Sequence, residues 1–374
     1  MHVAIVCRDA GGTGSVALVA LRHAALLARE FRVTLVSDSL PAELPDGVQA
    51  VRVSARLFDM FRRFAHVPNE IAFAFAARFA LLKMDDLDFV LCEGDVPAAI
   101  AARPLKRRRG TPFGIVTHGD MARRPKGTFD PRLSALYRWA EARSAAEADL
   151  VIALGPTMAE LARRRGGREV VIVPNGLDVI LSREDGEGPA AQERRGSFAA
   201  LRMTYVGRLA IEKGVLVLMD AARILRERGV AFELTFVGSG PLEGELRKRG
   251  ATLAGPQPHD EIGKWFQAAD VVVVPSLNEP FGLVIIEALA AGTPVIASDV
   301  DDIPTIVRDR ENGLLVPVND ARALADAIEL LANDRQLLSE LRNNARPSVW
   351  PRFSWEESGR LLRDAVRSRL RHNR

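Results

Sequence analysis

The chain has 374 residues, of which 48% are apolar and 26% are charged. That length exceeds what one core usually organises, so we expect two globular domains and exclude a disordered or fibrous protein. The 51 Lys and Arg residues against 48 Asp and Glu residues give a formal charge of +3. This charge is too small to indicate a protein that binds nucleic acid.

The two cysteines, Cys7 and Cys92, lie far apart in apolar segments, which predicts reduced thiols in a cytoplasmic protein. The first residues show no charged start followed by an apolar signal segment. The longest apolar stretch, 71–82, is shorter than the roughly 20 residues that a membrane-spanning helix needs. We therefore expect a chain that is not secreted and has no membrane-spanning helix.

The first half of the chain alternates apolar strands with helical or loop segments. A strand at 2–7, a Gly-rich turn at 8–14, a helix at 15–29 and a strand at 33–36 form one βαβ unit. Further strands are predicted at 89–91, 113–117, 150–153 and 170–173. Short apolar runs of this kind are typical of parallel strands buried on both faces.

The second half repeats the alternation after a polar segment, for which we predict a linker over 181–199. Strands are predicted beyond it at 201–206, 232–237, 271–274, 294–297 and 314–316. The predicted fold class is α/β, with Rossmann-like doubly wound domains over 1–180 and 200–350. A C-terminal helix within 352–374 is expected to join the first domain. Such domains bind ligands beyond the carboxyl ends of their strands, so we expect a cleft between the two sheets.

An acidic pair follows the strand predicted at 271–274, with Glu279 and Glu287 eight positions apart. If a helix begins near Gly282, the amides of its first turn form an anion site that a phosphate can approach closely. Glu287 then lies within an otherwise apolar helix and requires a partner or a cleft. The alternative is a capped helix with a solvent-exposed Glu287.

Two cations follow the first strand of the second half. Arg208 comes directly after the strand, and Lys213 lies five residues later at the start of a helix. Together they could neutralise a diphosphate, a task otherwise given to a divalent metal. No cluster of His, Cys or Asp has ligand spacing, so no metal site is predicted. The alternative is a surface ion pair of Lys213 with Glu212 or Asp220.

In combination these segments resemble the retaining glycosyltransferases of family 4, which have the two-domain GT-B fold. The resemblance spans most of the chain and rests on segments at 8–14, 117–119, 173–178, 207–214, 237–241 and 279–295. It implies transfer of a sugar from a nucleotide-diphosphate-sugar donor to an acceptor with retained anomeric configuration. It also implies that the second domain binds the donor and the first domain the acceptor.

Carried over position by position, the resemblance makes Arg208 and Lys213 the ligands of the diphosphate. Glu279 would hydrogen-bond the donor hexose, and Glu287 the ribose hydroxyls. The family is thought to use a same-face mechanism, in which the departing phosphate oxygen takes the acceptor proton. Glu279 is then a positioning group and not the nucleophile of a retaining hydrolase. The nucleotide sugar is a substrate, so no cofactor is implied.

Backbone groups complete the implied donor site, through the amides of Gly282 and Leu283. Gly12, beside Gly11, would let the backbone pass close to the diphosphate or the acceptor, although turn formation alone also explains these glycines. His118 ends the strand at 113–117 and resembles the family histidine that touches the donor sugar. Histidine also suits acid or base work near neutral pH, and the alternative for His118 is a structural role.

One segment departs from the family pattern. Where the family often carries a Gly-Gly pair and a glutamate after Pro, this chain has Asp301, Asp302 and Thr305 around Ile303-Pro304. The loop is altered, whereas the site at the strand end is retained. We keep the donor-diphosphate assignment and predict no acceptor contacts from this loop.

A window rich in phenylalanine and basic residues predicts an anionic membrane surface as a partner through residues 56–83. The phenylalanines are Phe58, Phe61, Phe64, Phe73, Phe75 and Phe79, with Phe89 shortly after the window. They are interleaved with Arg56, Arg62, Arg63, Arg78 and Lys83. A second basic cluster lies at 106–109. The chain would then be peripheral on the inner face of the membrane and act in cell-envelope or polysaccharide biosynthesis on a glycan, lipid-linked or small-molecule acceptor. The alternative is a core helix with a solvated basic face.

Two other functions remain open for this fold: a nucleotide-sugar epimerase of the GT-B type, and a nonenzymatic nucleotide-sugar-binding protein. The complete set of Arg208, Lys213, Glu279 and Glu287 favours transfer over both. An oxidoreductase is disfavoured because the turn at 8–14 lacks the glycine spacing of a dinucleotide-binding fingerprint.

Overall fold

The computed structural model describes residues 1–12, 15–54, 66–94, 96–119, 131–177 and 200–371. Backbone contacts divide the chain into two compact units. Unit 1 comprises Met1–Gly176 and Trp355–Arg374, and unit 2 comprises Leu177–Ser354. The predicted linker at 181–199 lies outside the described residues. None of the helices described is both long enough and apolar enough to cross a membrane.

Unit 1 contains a seven-stranded parallel sheet with the order β3-β2-β1-β4-β5-β6-β7. Its strands are β1 (His2–Cys7), β2 (Arg32–Ser37), β3 (Val48–Arg52), β4 (Phe89–Glu93), β5 (Phe113–Thr117), β6 (Leu150–Ala153) and β7 (Val170–Ile172). The strand order reverses between β1 and β4, whose last residues, Cys7 and Glu93, are paired. At such a switch point the loops after the strands diverge and leave a crevice.

In the described part of unit 1, six helices flank this sheet. They are α1 (Ser15–Ala28), α2 (His66–Leu82), α3 (Pro97–Arg109), α4 (Pro131–Glu147), α5 (Pro156–Arg164) and, from the end of the chain, the helix Trp355–Arg371. The last helix packs on α1 so closely that a Cβ at Gly359 would lie 2.6 Å from Leu26 Cδ2. An ion pair of 2.6 Å joins Arg367 of this helix to Glu30, two residues beyond the end of α1.

Unit 2 contains a six-stranded parallel sheet with the order β10-β9-β8-β11-β12-β13. Its strands are β8 (Leu201–Val206), β9 (Phe232–Val237), β10 (Thr252–Gly255), β11 (Val271–Val274), β12 (Val295–Ser298) and β13 (Gly313–Val316). Its helices are α6 (Val215–Glu227), α7 (Glu243–Lys248), α8 (Ile262–Ala268), α9 (Leu283–Ala290), α10 (Ile303–Ile306), α11 (Ala321–Asn333) and α12 (Arg335–Val349), with 3-10 turns at Ile211–Lys213 and His259–Glu261. We number the C-terminal helix Trp355–Arg371 of unit 1 as α13.

The predicted doubly wound α/β class is confirmed in both units. Every residue of β1, β4, β5, β6 and β11 is buried, as expected for strands covered by helices on both faces. Two strands were not predicted. In β3, Val48–Arg52, burial is mixed because the strand lies at the sheet edge, and β10, Thr252–Gly255, is a short edge strand that ends in glycine.

The predicted interfacial segment divides into buried and exposed parts, and residues 55–65 lie outside the described residues. Phe73 and Phe89 are fully buried in unit 1, so the prediction that they face a membrane is wrong. They are core because Phe73 belongs to the apolar cluster beneath α2, and Phe89 opens a central strand. Phe75 and Phe79 remain exposed.

Two members of the basic cluster at 106–109 are engaged within unit 1, whereas Arg107 and Arg108 are exposed. Lys106 donates to the backbone oxygen of Glu147 at 2.6 Å and to the Asp149 carboxylate at 2.9 Å. Arg109 donates to two backbone oxygens at the end of α2 and to Asp85. These two cations hold α3 against its neighbours, so they do not form the free basic surface that the sequence suggested.

Candidate functional site

The carboxyl edge of the unit 2 sheet brings together the loops that follow β8 and β11, which are neighbouring strands. Arg208 lies two residues beyond β8, and Lys213 ends the 3-10 turn Ile211–Lys213. Glu279 lies between β11 and α9. Parallel strands place all their carboxyl ends at one edge, which is why residues 66 positions apart meet there.

Lys213 and Glu279 form an ion pair of 2.6 Å between Nζ and Oε2. The Ser276 hydroxyl donates to the same carboxylate oxygen at 3.1 Å. The Glu279 side chain is only 10% exposed, whereas Lys213 is 29% exposed. The predicted alternative, a surface pair of Lys213 with Glu212 or Asp220, is wrong, because the lysine turns towards the strand-end carboxylate.

The backbone of Glu279 is held by a residue of the altered loop. The Glu279 N–H donates to Asp301 Oδ2 at 2.9 Å, and Asp301 itself has a left-handed φ of 50°. Aspartate tolerates that conformation better than most residues. Asp301, which departs from the family pattern, therefore fixes the backbone of Glu279. The sequence did not suggest this contact.

Arg208 is the more exposed of the two cations, with 64% of its side chain accessible. Its guanidinium lies 3.3 Å from Glu212, and its backbone oxygen accepts the Tyr205 hydroxyl at 2.8 Å. Burial, followed by the negative charges of Glu279 and Glu212, raises the pKa of Tyr205. An exposed Arg–Glu contact is weak, so a ligand phosphate can replace it at little cost.

The start of α9 has the geometry predicted for an anion site. Gly282 adopts a φ of 88° and is followed by Leu283, the first residue of the helix. The first-turn amides of a helix have no carbonyl four residues earlier to bond, and they carry the positive end of the helix dipole. The left-handed φ favours glycine at this position.

Glu287 lies four residues after Leu283, on the same face of α9. Its side chain is 17% exposed and lies 3.8 Å from His259 Nε2. The solvent-exposed alternative for Glu287 is therefore wrong. Glu287 therefore lies one turn beyond the start of α9, beside His259 in the loop after β10.

In unit 1, His118 directly follows β5 and contacts a buried carboxylate. His118 Nε2 lies 2.7 Å from Glu93 Oε2, and His23 Nδ1 lies 2.6 Å from Glu93 Oε1. Glu93 and His23 are fully buried, whereas the His118 side chain is 12% exposed. His23 Nε2 has no hydrogen-bond partner among the described residues.

The electrostatics of this group are dominated by Glu93. Burial raises its pKa, but the charge interaction with His23 and the hydrogen bonds from both histidines outweigh burial and lower the pKa to about 2. Glu93 is therefore ionised at neutral pH. Burial, and next the Glu93 charge, raise the pKa of the thiols of Cys7 and Cys92, so both remain protonated.

Gly12 lies in the turn after β1, also in unit 1. Its N–H donates to the Asp9 backbone oxygen at 3.0 Å, and a Cβ at Gly12 would lie 2.5 Å from the Asp9 carboxylate. A Cβ at Gly11 would lie 2.5 Å from the Leu40 backbone oxygen. The Leu40 backbone therefore requires glycine at position 11 whether or not a ligand approaches, whereas the Asp9 side chain would have to move to admit a Cβ at position 12.

Of the predicted site residues, the structure brings Lys213 and Glu279 into contact and places Arg208, Gly282, Leu283 and Glu287 in unit 2. His118 and Gly12 lie in unit 1. Four supporting residues were not predicted: Ser276, Asp301, Glu93 and His23. Glu93 carried a detectable signal, because an acidic residue that ends an otherwise apolar strand requires a buried partner.

Two family models match the chain. One, described as glycosyl transferases group 1, covers residues 200–334, and the other, described as glycosyltransferase family 4, covers residues 11–180. The first lies within unit 2. The second covers most of the first segment of unit 1, including the turn after β1 and the end of β5.

Relatives and solved structures agree with these matches. The α-D-kanosaminyltransferase of Streptomyces kanamyceticus is 29% identical over 72% of this chain and 74% of its own length. A Bacillus subtilis glycosyltransferase, TuaC, named for teichuronic acid biosynthesis, is 28% identical over 86% of this chain and 80% of its own length.

Among solved structures, sucrose-phosphate synthase of Thermosynechococcus elongatus superposes with a TM-score of 0.82 at 24% identity, over 98% of both chains. HepE of Anabaena, solved with UDP-glucose, superposes with a TM-score of 0.75 at 20% identity, over 98% of this chain and all of its own. Both show the GT-B fold. The two family models, which together match residues 11–180 and 200–334, show that the chain belongs to the group 1 glycosyltransferases of family 4.

Proposed function

We propose that the protein transfers a hexosyl group from a nucleotide-diphosphate-sugar to an acceptor, with retention of anomeric configuration and without a catalytic metal. The observation that carries the proposal is the Lys213–Glu279 pair of 2.6 Å at the carboxyl edge of the unit 2 sheet. It places a cation beside a carboxylate that can accept hydrogen bonds from sugar hydroxyls. Diphosphate and hexose are the two adjoining parts of such a donor.

The leaving group of this reaction is a nucleoside diphosphate, on which negative charge develops as the glycosidic bond breaks. In the proposal, Arg208 and Lys213 stabilise that charge, and the amides of Gly282 and Leu283 hydrogen-bond a phosphate oxygen. Fixed cations and amides act strongly on developing charge because they need little reorganisation during the reaction. Glu287 would bind the ribose hydroxyls, next to the helix start.

The contacts of Glu279 support a positioning role over nucleophilic attack. Its Oε2 already accepts from Lys213 and Ser276, and its backbone is fixed by Asp301. A carboxylate held by two donors is a weaker nucleophile, although it remains a good acceptor for sugar hydroxyls through its other oxygen. In a same-face mechanism the departing phosphate oxygen takes the acceptor proton, so no protein nucleophile is required.

Unit 1 supplies the acceptor side in this proposal. His118, at the end of β5, would contact the sugar being transferred, and Gly12 would allow backbone to approach a ligand. An acceptor of the cell envelope, such as a growing glycan or a lipid-linked sugar, agrees with the biosynthetic name of the Bacillus subtilis relative. The alternatives, an epimerase or a nonenzymatic binding protein, require no acceptor.

The proposal is tested by following sugar release and thermal stability together with UDP-, GDP-, ADP- and dTDP-sugars in the presence of EDTA. We expect one donor class to raise the melting temperature, because a ligand that binds only the native state stabilises it. We also expect transfer to a supplied acceptor with the anomeric configuration retained. Dependence on added metal would contradict the metal-free mechanism. Acceptor-independent formation of an isomeric nucleotide sugar would indicate the epimerase.

We further propose that unit 1 binds an anionic membrane surface through an apolar stripe on α2. Ile71, Phe75 and Phe79, four residues apart, are 51%, 51% and 63% exposed. Residues at this spacing share one helix face. Lys83, which is also exposed, follows the stripe just beyond the end of the helix. Exposed aromatic and basic groups of this kind suit the boundary between headgroups and acyl chains.

Replacing Phe75 and Phe79 together by serine is expected to reduce flotation with vesicles that contain anionic phospholipid by about tenfold or more. The physical reason is the loss of two aromatic side chains that would leave water on binding. The control is Leu44→Ser, an exposed apolar residue of the same unit that lies outside α2. Wild-type protein that does not float with anionic vesicles, or equal binding by the double variant, would contradict the proposal.

A further inference from the structure

The buried group formed by Glu93, His23 and His118 lies at the switch point of the unit 1 sheet. Glu93 ends β4, His118 follows the neighbouring β5, and His23 reaches them from α1. Both carboxylate oxygens are used, one by each histidine, at 2.6 and 2.7 Å. A fully buried carboxylate with one donor on each oxygen fixes the orientation of both rings.

The hydrogen bonds define where the first two protons reside. Ionised Glu93 can only accept, so His23 donates through Nδ1 and His118 donates through Nε2. Each ring then has one nitrogen left. For His23 that nitrogen is Nε2, which is buried without a hydrogen-bond partner among the described residues, beside Trp355 at 6.3 Å between ring centroids. For His118 it is Nδ1.

With one proton on His23 Nδ1 and one on His118 Nε2, a further proton can be accommodated on only one of the two rings. Protonation of His23 Nε2 would bury an N–H that has no acceptor in the described part of the chain, which carries a desolvation penalty. His118 is the ring with an exposed fraction, so a ligand or water can satisfy its Nδ1–H.

We propose that Glu93 and His23 are positioning residues that hold His118 with its Nε2–H on Glu93 and present its Nδ1 to the sugar substrate, where it forms a hydrogen bond with a sugar hydroxyl. This inference rests on the transferase function proposed above. In this inference His118 contacts the substrate. Glu93 sets the orientation of the His118 ring and determines which of its nitrogens carries the proton. His23 donates a hydrogen bond to the other oxygen of the Glu93 carboxylate.

Other ionisable groups lie near this group in the described residues. Strands β1 and β4 contribute the thiols of Cys7 and Cys92, which stay protonated and interact with the charges of Asp9, Asp38 and Arg103. Helices α4 and α5 contribute the ion pair Glu141–Arg165 at 2.8 Å. Glu93 is the carboxylate in hydrogen-bond contact with both rings.

The first test is independent of catalysis. In ¹⁵N-histidine-labelled wild-type protein, with the His118 signals identified by their loss in His118→Ala, we expect Nε2 to carry the proton and Nδ1 to lack one above neutral pH. In Glu93→Gln the amide can donate as well as accept, so this preference should weaken. Wild-type His118 protonated at Nδ1 would overturn the proposal, whatever the outcome of the transfer assay.

The second test uses steady-state transfer kinetics. We expect Glu93→Gln to lower kcat by about 10- to 100-fold while the KM for the donor changes less, because the ring is present but no longer oriented. Glu93→Asp, which restores the charged acceptor, is expected to recover part of the lost kcat.

The matched control is Asp149→Asn. Asp149 is a mostly buried carboxylate of the same unit, paired with Lys106 and bonded to the Phe113 amide at the opposite edge of the sheet. It should alter stability while leaving kcat unchanged. A kcat unchanged in Glu93→Gln, in an enzyme that transfers sugar, overturns the positioning role. Absence of transfer by the wild type contradicts the proposed function and leaves the ¹⁵N test to decide this inference.

Discussion

Lys213→Met is expected to lower kcat for sugar transfer by about 10²- to 10³-fold, the effect of removing one group that stabilises developing charge. Methionine keeps the length of the side chain while removing the ammonium that lies 2.6 Å from Glu279. The KM for the donor should change less, because the charge on the leaving oxygen grows most in the transition state. Steady-state kinetics with the donor found in the stability screen measures both constants.

Glu279→Gln tests the other half of the pair. The amide preserves the shape of the side chain and can still hydrogen-bond a sugar hydroxyl. It removes the negative charge that pairs with Lys213 and replaces the carboxylate that accepts from the Ser276 hydroxyl. Because the two groups act as a unit, the double variant should lose much less than the sum of the two single losses. Additive losses would show that each residue acts alone.

The control for both variants is Lys264→Met. Lys264 also forms an ion pair in unit 2, with Glu261 at 2.5 Å, but its side chain is 71% exposed. Exposed pairs contribute little to stability, about 0 to 1 kcal/mol, and Lys264 lies in α8 outside the loops after β8 and β11. We expect kcat within about twofold of wild type. Near-normal turnover in Lys213→Met would remove Lys213 from the site.

Most strands could be predicted from the sequence because parallel strands that are buried on both faces have uninterrupted apolar sequences. β1, β5, β8 and β11 match the predicted bounds. The edge strand β3 did not, because strands at an edge need not be apolar and their pattern merges with that of a loop. Burial of Phe73 could not be read either, since the helical pattern does not say which face of α2 packs on the sheet.

Parts of the site were predictable for a different reason. Gly282, Arg208 and Lys213 lie directly after strands or before a helix, so local sequence defines their place. The partners of these residues come from distant segments: Asp301 binds the Glu279 amide across 22 positions, and Glu93 joins His23 across 70. Such residues meet only through the order of the strands in the sheet. That order cannot be inferred from the apolar pattern of a single sequence.

Gly214→Ala is expected to destabilise unit 2 by about 2 to 5 kcal/mol. Gly214 connects the 3-10 turn that ends at Lys213 with α6, and it has a φ of 66°. The left-handed conformation costs an alanine about 1 to 2 kcal/mol. A Cβ would also lie 1.8 Å from the backbone oxygen of Pro275, and relief of such an overlap typically costs about 1 to 3 kcal/mol more.

The same overlap would separate the two residues of the Lys213–Glu279 pair. Pro275 directly precedes Ser276, which binds the Glu279 carboxylate, whereas Gly214 directly follows Lys213. If the backbone yields at this contact, the 2.6 Å pair must lengthen. We therefore expect transfer to fall by more than the folded fraction alone accounts for, even well below the melting temperature. A shift of a few tenths of an ångström is enough to weaken a charged hydrogen bond.

Gly229→Ala separates the two causes. Gly229 also has a left-handed φ, 74°, at the end of α6 in the same unit, but a Cβ there would meet no atom within 4 Å. It should therefore show only the backbone term, about 1 to 2 kcal/mol, with unchanged kcat. Thermal unfolding monitored beside kinetics distinguishes the variants, since about 1 kcal/mol moves the melting temperature of a domain this size by about 2 to 4 °C. Equal destabilisation by both variants would show that the approach of Gly214 to Pro275 does not constrain the site.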